Sequence, residues 1–330
     1  MNSTTLARTL GRSGISVSAI GMGCWAIGGP FWDGETPVGW GEVDDDESIR
    51  AVHRALELGI NFFDTANVYG AGHSERVLGR AFTGRRDQVV IATKFSNLFD
   101  ETTKQIIGQS AEPDSIRQQC EDSLRRLNTD YIDLYQFHNG GYALERAGEV
   151  ISTLEALVGE GKIRWYGWST DDPERAAAFA QGAHCTADQL QMNVLDDAPE
   201  MIKLCEAKNL AAILRGPLAM GILTGKYNAN STLPLNDVRS EKAPSWMGYF
   251  KNGKPNPYWM TKLDAVREIL SSGGRTLAQG ALAWLWARSE RCIPIPGFRT
   301  VAQVEENCGA LALGALTPNQ MREIDTLLER

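Results

Sequence analysis

The amino-acid sequence predicts a (β/α)8 barrel that begins with a β-hairpin and carries long loops at the C-terminal ends of its strands. Short apolar runs of strand length alternate with helical patterns, which is typical of a parallel α/β sheet. Eight such runs occur in a chain of 330 residues, and one large α/β barrel fits that length. We therefore expect residues 1–330 to form one barrel domain.

The N-terminal hairpin is the first predicted element. Residues 8–10 and 15–17 have strand character, and a turn at 11–14 begins and ends with glycine. The apolar runs that follow it predict the eight barrel strands near 19–23, 61–64, 89–94, 131–137, 164–169, 188–192, 211–215 and 291–296.

Start signals support several helices between these strands. The acidic run 44–47 suits a helix N-terminus, where the macrodipole favours negative charge. Pro113, Pro173 and Pro199 lie where a proline is tolerated in the first helical turn. The helices are predicted near 45–58, 74–82, 114–127, 146–158, 173–181, 199–208, 277–288, 301–311 and 318–329.

A doubly wound open sheet is the alternative architecture. It would usually show a glycine-rich fingerprint between its first strand and first helix. Gly21, Gly23 and Gly28 match that fingerprint poorly, because the third glycine is misplaced and Pro30 follows instead of a helix. The barrel is therefore favoured.

Three connections are unusually long, and two of them are rich in glycine, proline and aromatic residues. They span 24–44, 97–112 and 223–258, and the first and third contain the aromatic residues. Long loops at the carboxyl end of such a sheet usually carry function. We expect the aromatic ones to form walls of a pocket.

Composition excludes several classes of partner. The formal net charge is −8, without a block of basic residues, so neither a nucleic acid nor an anionic membrane is expected to bind. The six cysteines are scattered, as in a reduced intracellular protein. With no apolar signal core or membrane-length run, a soluble cytoplasmic protein is expected, whose oligomeric state the sequence leaves open.

Four ionisable residues at the ends of three successive strands predict an active site. Asp64 and Tyr69 follow the second strand, Lys94 the third and His138 the fourth, and the carboxyl ends of barrel strands are where chemistry occurs. Lys94, held by Asp64, is expected to lower the pKa of Tyr69 so that the phenol can transfer a proton. His138 is expected to donate a hydrogen bond to an oxygen that gains negative charge. This combination fits proton transfer to a carbonyl oxygen as hydride reaches the carbon.

No metal site is expected. The four histidines, at 53, 73, 138 and 184, show neither the H-x-H nor the H-E-x-x-H spacing of metal ligands.

The chain closely resembles the aldo-keto reductase superfamily from about Arg8 to Leu328. The motifs that carry the resemblance are ordered and specifically spaced: 9–14 (TLGRSG), 63–70 (FDTANVYG), 92–94 (ATK), 167–169 (GWS), 217–227 (PLAMGILTGKY) and 295–297 (IPG). The resemblance implies that Asp64, Tyr69, Lys94 and His138 form a catalytic tetrad with Tyr69 as general acid/base. It also implies reversible reduction of an aldehyde or ketone, with a nicotinamide cofactor bound without a Rossmann fold.

The resemblance also implies the cofactor contacts. Ser169 and Gln191 would bind the carboxamide, Lys226 the pyrophosphate, and Arg239 and Arg299 the 2′-phosphate. Two arginines favour NADPH/NADP+ over NAD, since an arginine suits a phosphate. Gln303, Glu306 and Asn307 would face the adenosine, and the remaining contacts would be Cys24, Trp25, Arg215, Gly216, Pro217, Leu218, Gly221 and Gly297.

Two positions depart from the family pattern. Arg215 stands where many members have an aromatic residue stacked on the nicotinamide, and a guanidinium can stack but adds a positive charge. We hypothesise that Arg215 disfavours the oxidised, cationic ring. Thr170 follows Ser169 where asparagine is usual, which puts one carboxamide contact in question.

Trp25, Trp32 and Trp168 are the candidate substrate-binding residues. Their aromatic walls would admit apolar or aromatic carbonyl compounds. The alternative function is a cofactor-binding regulatory module, because the resemblance extends to potassium-channel β-subunits that keep the tetrad.

Overall fold

Eight parallel strands form the central sheet of the computed structural model, which describes residues 6–228 and 230–330. Each strand pairs with its neighbours in sequence order. The strands are β1 (Met22–Gly23), β2 (Phe62–Asp64), β3 (Val90–Phe95), β4 (Ile132–Phe137), β5 (Ile163–Ser169), β6 (Cys185–Gln191), β7 (Ala211–Arg215) and β8 (Cys292–Pro294).

Backbone hydrogen bonds between β1 and the segment at the end of β8 close the sheet into a barrel. The Gly21 N–H donates to the Pro294 carbonyl at 2.9 Å, and the Gly23 N–H donates to the Pro296 carbonyl at 3.0 Å. The predicted (β/α)8 fold is confirmed, and each observed strand overlaps its predicted range.

The barrel is surrounded by helices that follow the strands. Within the described residues they are α1 (Asp45–Glu57), α2 (His73–Ala81), α3 (Pro113–Leu127), α4 (Ala147–Gly159), α5 (Pro173–Phe179), α6 (Pro199–Lys208), α7 (Pro257–Leu270), α8 (Leu277–Arg288), α9 (Val301–Leu313) and α10 (Pro318–Leu327). None of these helices combines the length and apolar composition that a membrane span needs.

Helix α7 is absent from the sequence-based prediction. The aromatic residues near its start were interpreted as part of a pocket-lining loop. Its start signals are nonetheless present, since Pro257 occupies the first turn and the Asn256 side chain accepts a hydrogen bond from the Tyr258 N–H. Capping residues therefore mark this helix better than its apolar pattern does.

The N-terminal hairpin covers the N-terminal end of the barrel. Its strands, Ala7–Thr9 and Ser16–Ser18, pair antiparallel as predicted. Leu10 and Val17 are buried in an apolar cluster with residues from the barrel strands, such as Phe62. The N-terminal end of the barrel is thus filled by apolar side chains. The ionisable residues at the strand ends lie at the opposite, C-terminal end.

Two of the long connections contain a small additional sheet beside the C-terminal face. This rim sheet consists of Trp32–Asp33, Thr36–Pro37, Asn97–Asp100 and Gln105–Gln109. The last two strands form an antiparallel hairpin, called the rim hairpin below, in which Asn97 pairs with Gln109. Connection 97–112 therefore contains regular β-structure rather than an irregular loop.

Candidate active site

The structure brings three of the four predicted tetrad side chains into direct contact. Lys94, fully buried in β3, donates from Nζ to Asp64 Oδ1 at 2.5 Å and to Tyr69 Oη at 3.1 Å. Its third hydrogen bond goes to the carbonyl of Thr65 at 2.9 Å. All three ammonium protons are thereby used, which fixes the charge beside the phenol.

Two buried glutamines complete the partners of Asp64. Gln136 and Gln189 donate to Asp64 Oδ2 at 2.9 and 2.7 Å. Sequence reasoning missed both residues, although each lies two positions before a predicted site residue, His138 and Gln191. Side chains two apart on a strand share a face, so this spacing was the available signal.

Burial and charge act in opposite directions on Lys94 and Tyr69. Burial alone would lower the pKa of Lys94, but the Asp64 carboxylate and Tyr69 outweigh it, so the pKa of Lys94 is raised. Burial also raises the pKa of Tyr69, and Lys94 only partly offsets that effect. Lys94 thus acts on the pKa of Tyr69 in the expected direction, but burial outweighs it and the net shift is upward, so the phenol stays protonated at neutral pH.

His138 follows β4 directly and faces Tyr69. The two rings meet edge to face, with centroids 6.3 Å apart. Burial, followed by the charges of Lys94 and Arg215, lowers the pKa of His138 to about 3. The imidazole is therefore neutral at physiological pH, so it can donate a hydrogen bond without carrying charge.

A close approach of two glycines positions Tyr69. Gly70 has a φ of +62°, and a Cβ built there would lie 1.8 Å from the carbonyl oxygen of Gly28. Only glycine fits such a left-handed, crowded position. The turn that carries Tyr69 thus packs directly on the turn that carries Trp25.

Aromatic rings form a wall beside Tyr69. Trp25 stacks on Tyr69 with centroids 5.9 Å apart, and it also contacts Trp40 at 5.3 Å and Trp246 at 6.2 Å. Trp246, from the long connection after β7, is 59% exposed. Trp40 and Trp246 were not among the predicted substrate residues, although their connections were expected to form pocket walls.

The other two predicted substrate tryptophans occupy a core position and the rim sheet. Trp168 is a core residue, because its ring is fully buried against Phe137 and Phe179 and its Nε1 donates to the Asn139 carbonyl. A substrate-binding role for Trp168 stays a prediction, and the burial of its ring does not favour it. Trp32 lies in the rim sheet, where it pairs with Gln105.

The strand ends of β5, β6 and β7 are joined by a charged cluster. Gln191 and Arg215 are paired in register, and Arg215 Nη1 donates to Gln191 Oε1 at 2.9 Å. Asp171, after β5, accepts from the Gln191 backbone N–H at 2.6 Å and forms an ion pair with Arg215. Arg215 is thus not an isolated charge, which the sequence alone did not reveal.

The predicted carboxamide contacts lie beside this cluster. Ser169 is buried at the end of β5. Gln191 Nε2 also donates to Tyr249 Oη at 3.1 Å and to Asp196 at 3.2 Å, so its amide is held from both ends. The side chain of Thr170 accepts a hydrogen bond from the Asp172 N–H. Thr170 therefore helps to form the turn before α5.

Cys24 lies in the hydrophobic core. Its side chain is fully buried, and Sγ contacts the Met22 carbonyl at 3.5 Å. Its backbone N–H and carbonyl are also engaged, by Asp64 and Ser74. The contact of Cys24 with the cofactor stays a prediction, and the burial of its side chain does not favour it.

The segment after β7 has an unusual backbone. Gly216, Ala219, Met220 and Gly221 all have positive φ values, and non-glycine residues in that region are strained. Pro217 and Leu218 lie between them. Lys226, at the end of the segment, is exposed, so its ammonium is available to an anion.

The guanidinium of Arg239 is engaged by neighbouring residues of the loop after β7. It is buried, and its guanidinium forms a bidentate pair with Asp237 at 2.8 and 2.7 Å. Further hydrogen bonds go to the Tyr227 hydroxyl at 2.6 Å and to the Met220 carbonyl. The contact of Arg239 with the adenosine 2′-phosphate stays a prediction, and the hydrogen bonds of this guanidinium within the loop do not favour it.

The predicted adenosine contacts lie together after β8. Gly297 forms a parallel bridge with Gly23, and the half-buried Arg299 donates to the carbonyls of Trp40 and Glu42. Gln303 accepts a hydrogen bond from the Arg299 N–H at 2.7 Å. Glu306 and Asn307 follow in α9.

Comparisons with known proteins agree with this architecture. The chain is 31% identical to an NADP(+) aldo-keto reductase of Schizosaccharomyces pombe, covering 93% of this chain and 88% of that protein. The structure superposes on a glycerol dehydrogenase from Gluconobacter oxydans with a TM-score of 0.81 at 29% identity, covering 99% of this chain and 96% of the other. An aldo-keto reductase from Klebsiella pneumoniae in complex with NADPH gives a TM-score of 0.69 at 26% identity, covering 98% and 95%. Residues 19–329 match the model of the aldo/keto reductase family, and the chain belongs to that family.

Proposed function

We propose that this protein reduces an aldehyde or ketone to an alcohol with NADPH, and that Tyr69 is the general acid. The observation that carries this proposal is the Tyr69 hydroxyl 3.1 Å from the ammonium of Lys94, which is itself paired with Asp64 at 2.5 Å. A phenol beside a fixed cation can release its proton as the neighbouring oxygen becomes negative. This arrangement faces the C-terminal end of the barrel, where substrates of such folds bind.

Each residue of the tetrad has a separate task. Tyr69 gives its proton to the carbonyl oxygen, and Lys94 stabilises the phenolate that remains. Asp64, bound by Lys94 and two glutamines, holds the ammonium in place. His138 donates a hydrogen bond to the same oxygen and stays neutral because of its lowered pKa.

The residues at the strand ends fit a nicotinamide dinucleotide. The buried hydroxyl of Ser169 and the amide of Gln191 suit a carboxamide, and the exposed Lys226 suits a pyrophosphate. With Arg239 committed to Asp237, Arg299 is our remaining arginine candidate for the 2′-phosphate. When bound, the reduced nicotinamide supplies the hydride that the carbonyl carbon accepts.

The substrate is expected to be apolar or aromatic near its carbonyl group. Trp25, Trp40 and Trp246 form a continuous set of ring contacts that ends on Tyr69. Such rings contribute large apolar surfaces for binding. A small, strongly hydrated sugar would gain less from this wall than an aryl aldehyde would.

The proposal can be tested with a panel of aryl aldehydes, aliphatic ketones and sugars. The reaction of each compound is monitored by the loss of NADPH absorbance, and the same panel is run in parallel with NADH. We expect the highest kcat/KM for an aryl aldehyde with NADPH. If no carbonyl compound oxidises NADPH in the presence of the protein, the proposed function is wrong.

A further inference from the structure

Asn97, at the base of the rim hairpin, contacts the candidate catalytic histidine. Asn97 Nδ2 lies 3.3 Å from His138 Nδ1, and it also donates to the backbone carbonyl of His138 at 3.4 Å. The Asn97 backbone carbonyl accepts a hydrogen bond at 3.0 Å from the buried Asn67. Asn97 is therefore held on the Nδ1 side of the imidazole.

The orientation of the Asn97 amide is set by its strand partner. Gln109 lies opposite Asn97 in the rim hairpin, and Gln109 Nε2 donates to Asn97 Oδ1 at 3.0 Å. The amide oxygen of Asn97 is thus engaged by Gln109, which leaves Nδ2 directed at the histidine. An amide nitrogen donates but does not accept a hydrogen bond.

The backbone before Asn97 supports this placement. Ser96 has a φ of +105°, which is a strained conformation for a residue with a side chain. Its N–H donates to Gln119 Oε1 at 2.8 Å. The turn that directs Asn97 from the end of β3 toward His138 is therefore held by specific contacts.

We propose that Asn97 is a positioning residue that selects the tautomer of His138. A donor at Nδ1 requires that Nδ1 be unprotonated, so the ring proton is on Nε2. That nitrogen is the one left to donate to a substrate oxygen beside Tyr69. This follows a general rule for histidine, in which the hydrogen bond made by one ring nitrogen fixes whether the other nitrogen carries the proton.

The tautomer is measurable without any turnover. A long-range ¹H–¹⁵N spectrum of the histidine rings in the intact protein distinguishes the two neutral forms, and His138→Gln identifies the His138 signals among the four histidines. We expect wild-type His138 to be in the Nε2–H form at pH 7. A wild-type ring with its proton on Nδ1, or a mixture of both forms, would overturn the proposal.

Variants of Asn97 test its causal role. Asn97→Leu removes the donor and should give a mixture of tautomers. Asn97→Asp places a hydrogen-bond acceptor at Nδ1, so the neutral ring should carry its proton on Nδ1 and Nε2 should lose its proton. Gln105→Leu is the matched control, because Gln105 lies in the same hairpin but donates to the Gly34 carbonyl, and its tautomer should equal that of wild type.

The kinetic consequence rests on the proposed function, whereas the spectrum does not. For Asn97→Asp we expect kcat to fall by about 10- to 100-fold, since one donor to the developing oxyanion is lost, with NADPH affinity unchanged. If Asn97→Leu keeps the Nε2–H form, Asn97 does not select the tautomer. If the tautomer shifts and kcat does not, the role of His138 in the proposed function fails while the positioning by Asn97 stands.

Discussion

At the scale of single residues, the buried carboxylates of this protein differ in how they are satisfied. Asp133, in β4, accepts hydrogen bonds from Arg86 at 2.6 Å, Arg164 at 3.0 Å and the Ile91 N–H at 2.9 Å. Asp188, in β6, is equally buried, yet neither of its oxygens has a partner among the described residues. An unpaired buried charge is costly, so Asp188 is a source of instability.

The pH dependence of stability follows from the direction of the Asp188 shift. Burial raises the pKa of Asp188 well above its ordinary value, with Asp171 adding to the effect and Arg215 opposing it. Below the unfolded pKa of about 3.9 the group is protonated in both states and contributes nothing. As pH rises above that value, only the unfolded state readily releases the proton, so the folded state loses stability.

Asp188→Asn should therefore stabilise the protein at pH 8 and have little effect near pH 4. We expect a gain of about 1–3 kcal/mol at the higher pH, measured by urea unfolding across this range. Asp133→Asn is the control. It removes a carboxylate whose oxygens both have hydrogen-bond partners, so it should destabilise the folded protein at pH 8. Equal loss of stability in both variants at pH 8 would contradict this account.

At the scale of elements, the tetrad depends on how the turn after β2 packs. Gly70 combines a left-handed backbone with contact to the Gly28 carbonyl. Gly84 has a similar φ of +73°, but a Cβ there would meet no atom within 4 Å. Comparing an alanine substitution at the two positions therefore separates the free-energy cost of the left-handed backbone from the cost of crowding the added Cβ.

Gly70→Ala should destabilise the protein more than Gly84→Ala and should also impair turnover. Each substitution costs about 1–2 kcal/mol for the left-handed conformation, and crowding at Gly70 adds about 1–3 kcal/mol. Thermal unfolding and kcat of both variants measure the difference. Equal effects on stability, with kcat intact in both, would show that the close approach does not position Tyr69.

The junction of β5, β6 and β7 modifies the hypothesis about Arg215. Because Asp171 pairs with Arg215, part of the positive charge near the proposed nicotinamide position is compensated. In the wild-type protein, Arg215 should therefore weaken the binding of the oxidised nicotinamide only slightly. The weakening should become measurable when Asp171 is replaced by a neutral residue.

Asp171→Asn should weaken NADP+ binding relative to NADPH. A charge effect of about 1 kcal/mol corresponds to roughly a fivefold change in the ratio of dissociation constants, and adding Arg215→Trp should restore the ratio. Titration of both redox forms by protein fluorescence measures it, with the exposed Glu174→Gln as the matched control. A ratio that is the same in wild type and Asp171→Asn rules out the charge effect.

At the scale of the whole molecule, the pattern of apolar runs was sufficient to predict the barrel. All eight strands were found, and the four tetrad residues were predicted from their positions at strand ends. The contacts that hold them were harder to predict, because Asn97, Asp171 and Tyr249 lie outside the barrel strands, on loops or the rim sheet, whose spatial neighbours are set by tertiary packing.

The orientation of single side chains was also hard to predict, for the same physical reason. A tryptophan in a strand can face either the pocket or the helices, and Trp168 faces the helices. An arginine near a proposed phosphate site can instead bind a nearby carboxylate, as Arg239 binds Asp237. One-dimensional spacing does not distinguish these cases when the loop conformation decides them. That residues 1–330 form a single domain remains a prediction.

The two ends of the barrel also have different chemistry. The N-terminal end is filled by apolar side chains from the hairpin and strands, whereas the C-terminal end carries the buried Lys94–Asp64 pair and the Arg215 cluster. Polar groups are thus concentrated at the end where the proposed reaction takes place.

Reduction of an aryl aldehyde by Tyr69→Phe, measured together with NADPH affinity, shows whether Tyr69 is the general acid. We predict that kcat falls by roughly 100-fold or more, because the proton donor is lost, while the dissociation constant for NADPH stays at the wild-type value. A Tyr69→Phe variant that binds NADPH normally and retains substantial turnover would contradict the assignment of Tyr69 as the general acid.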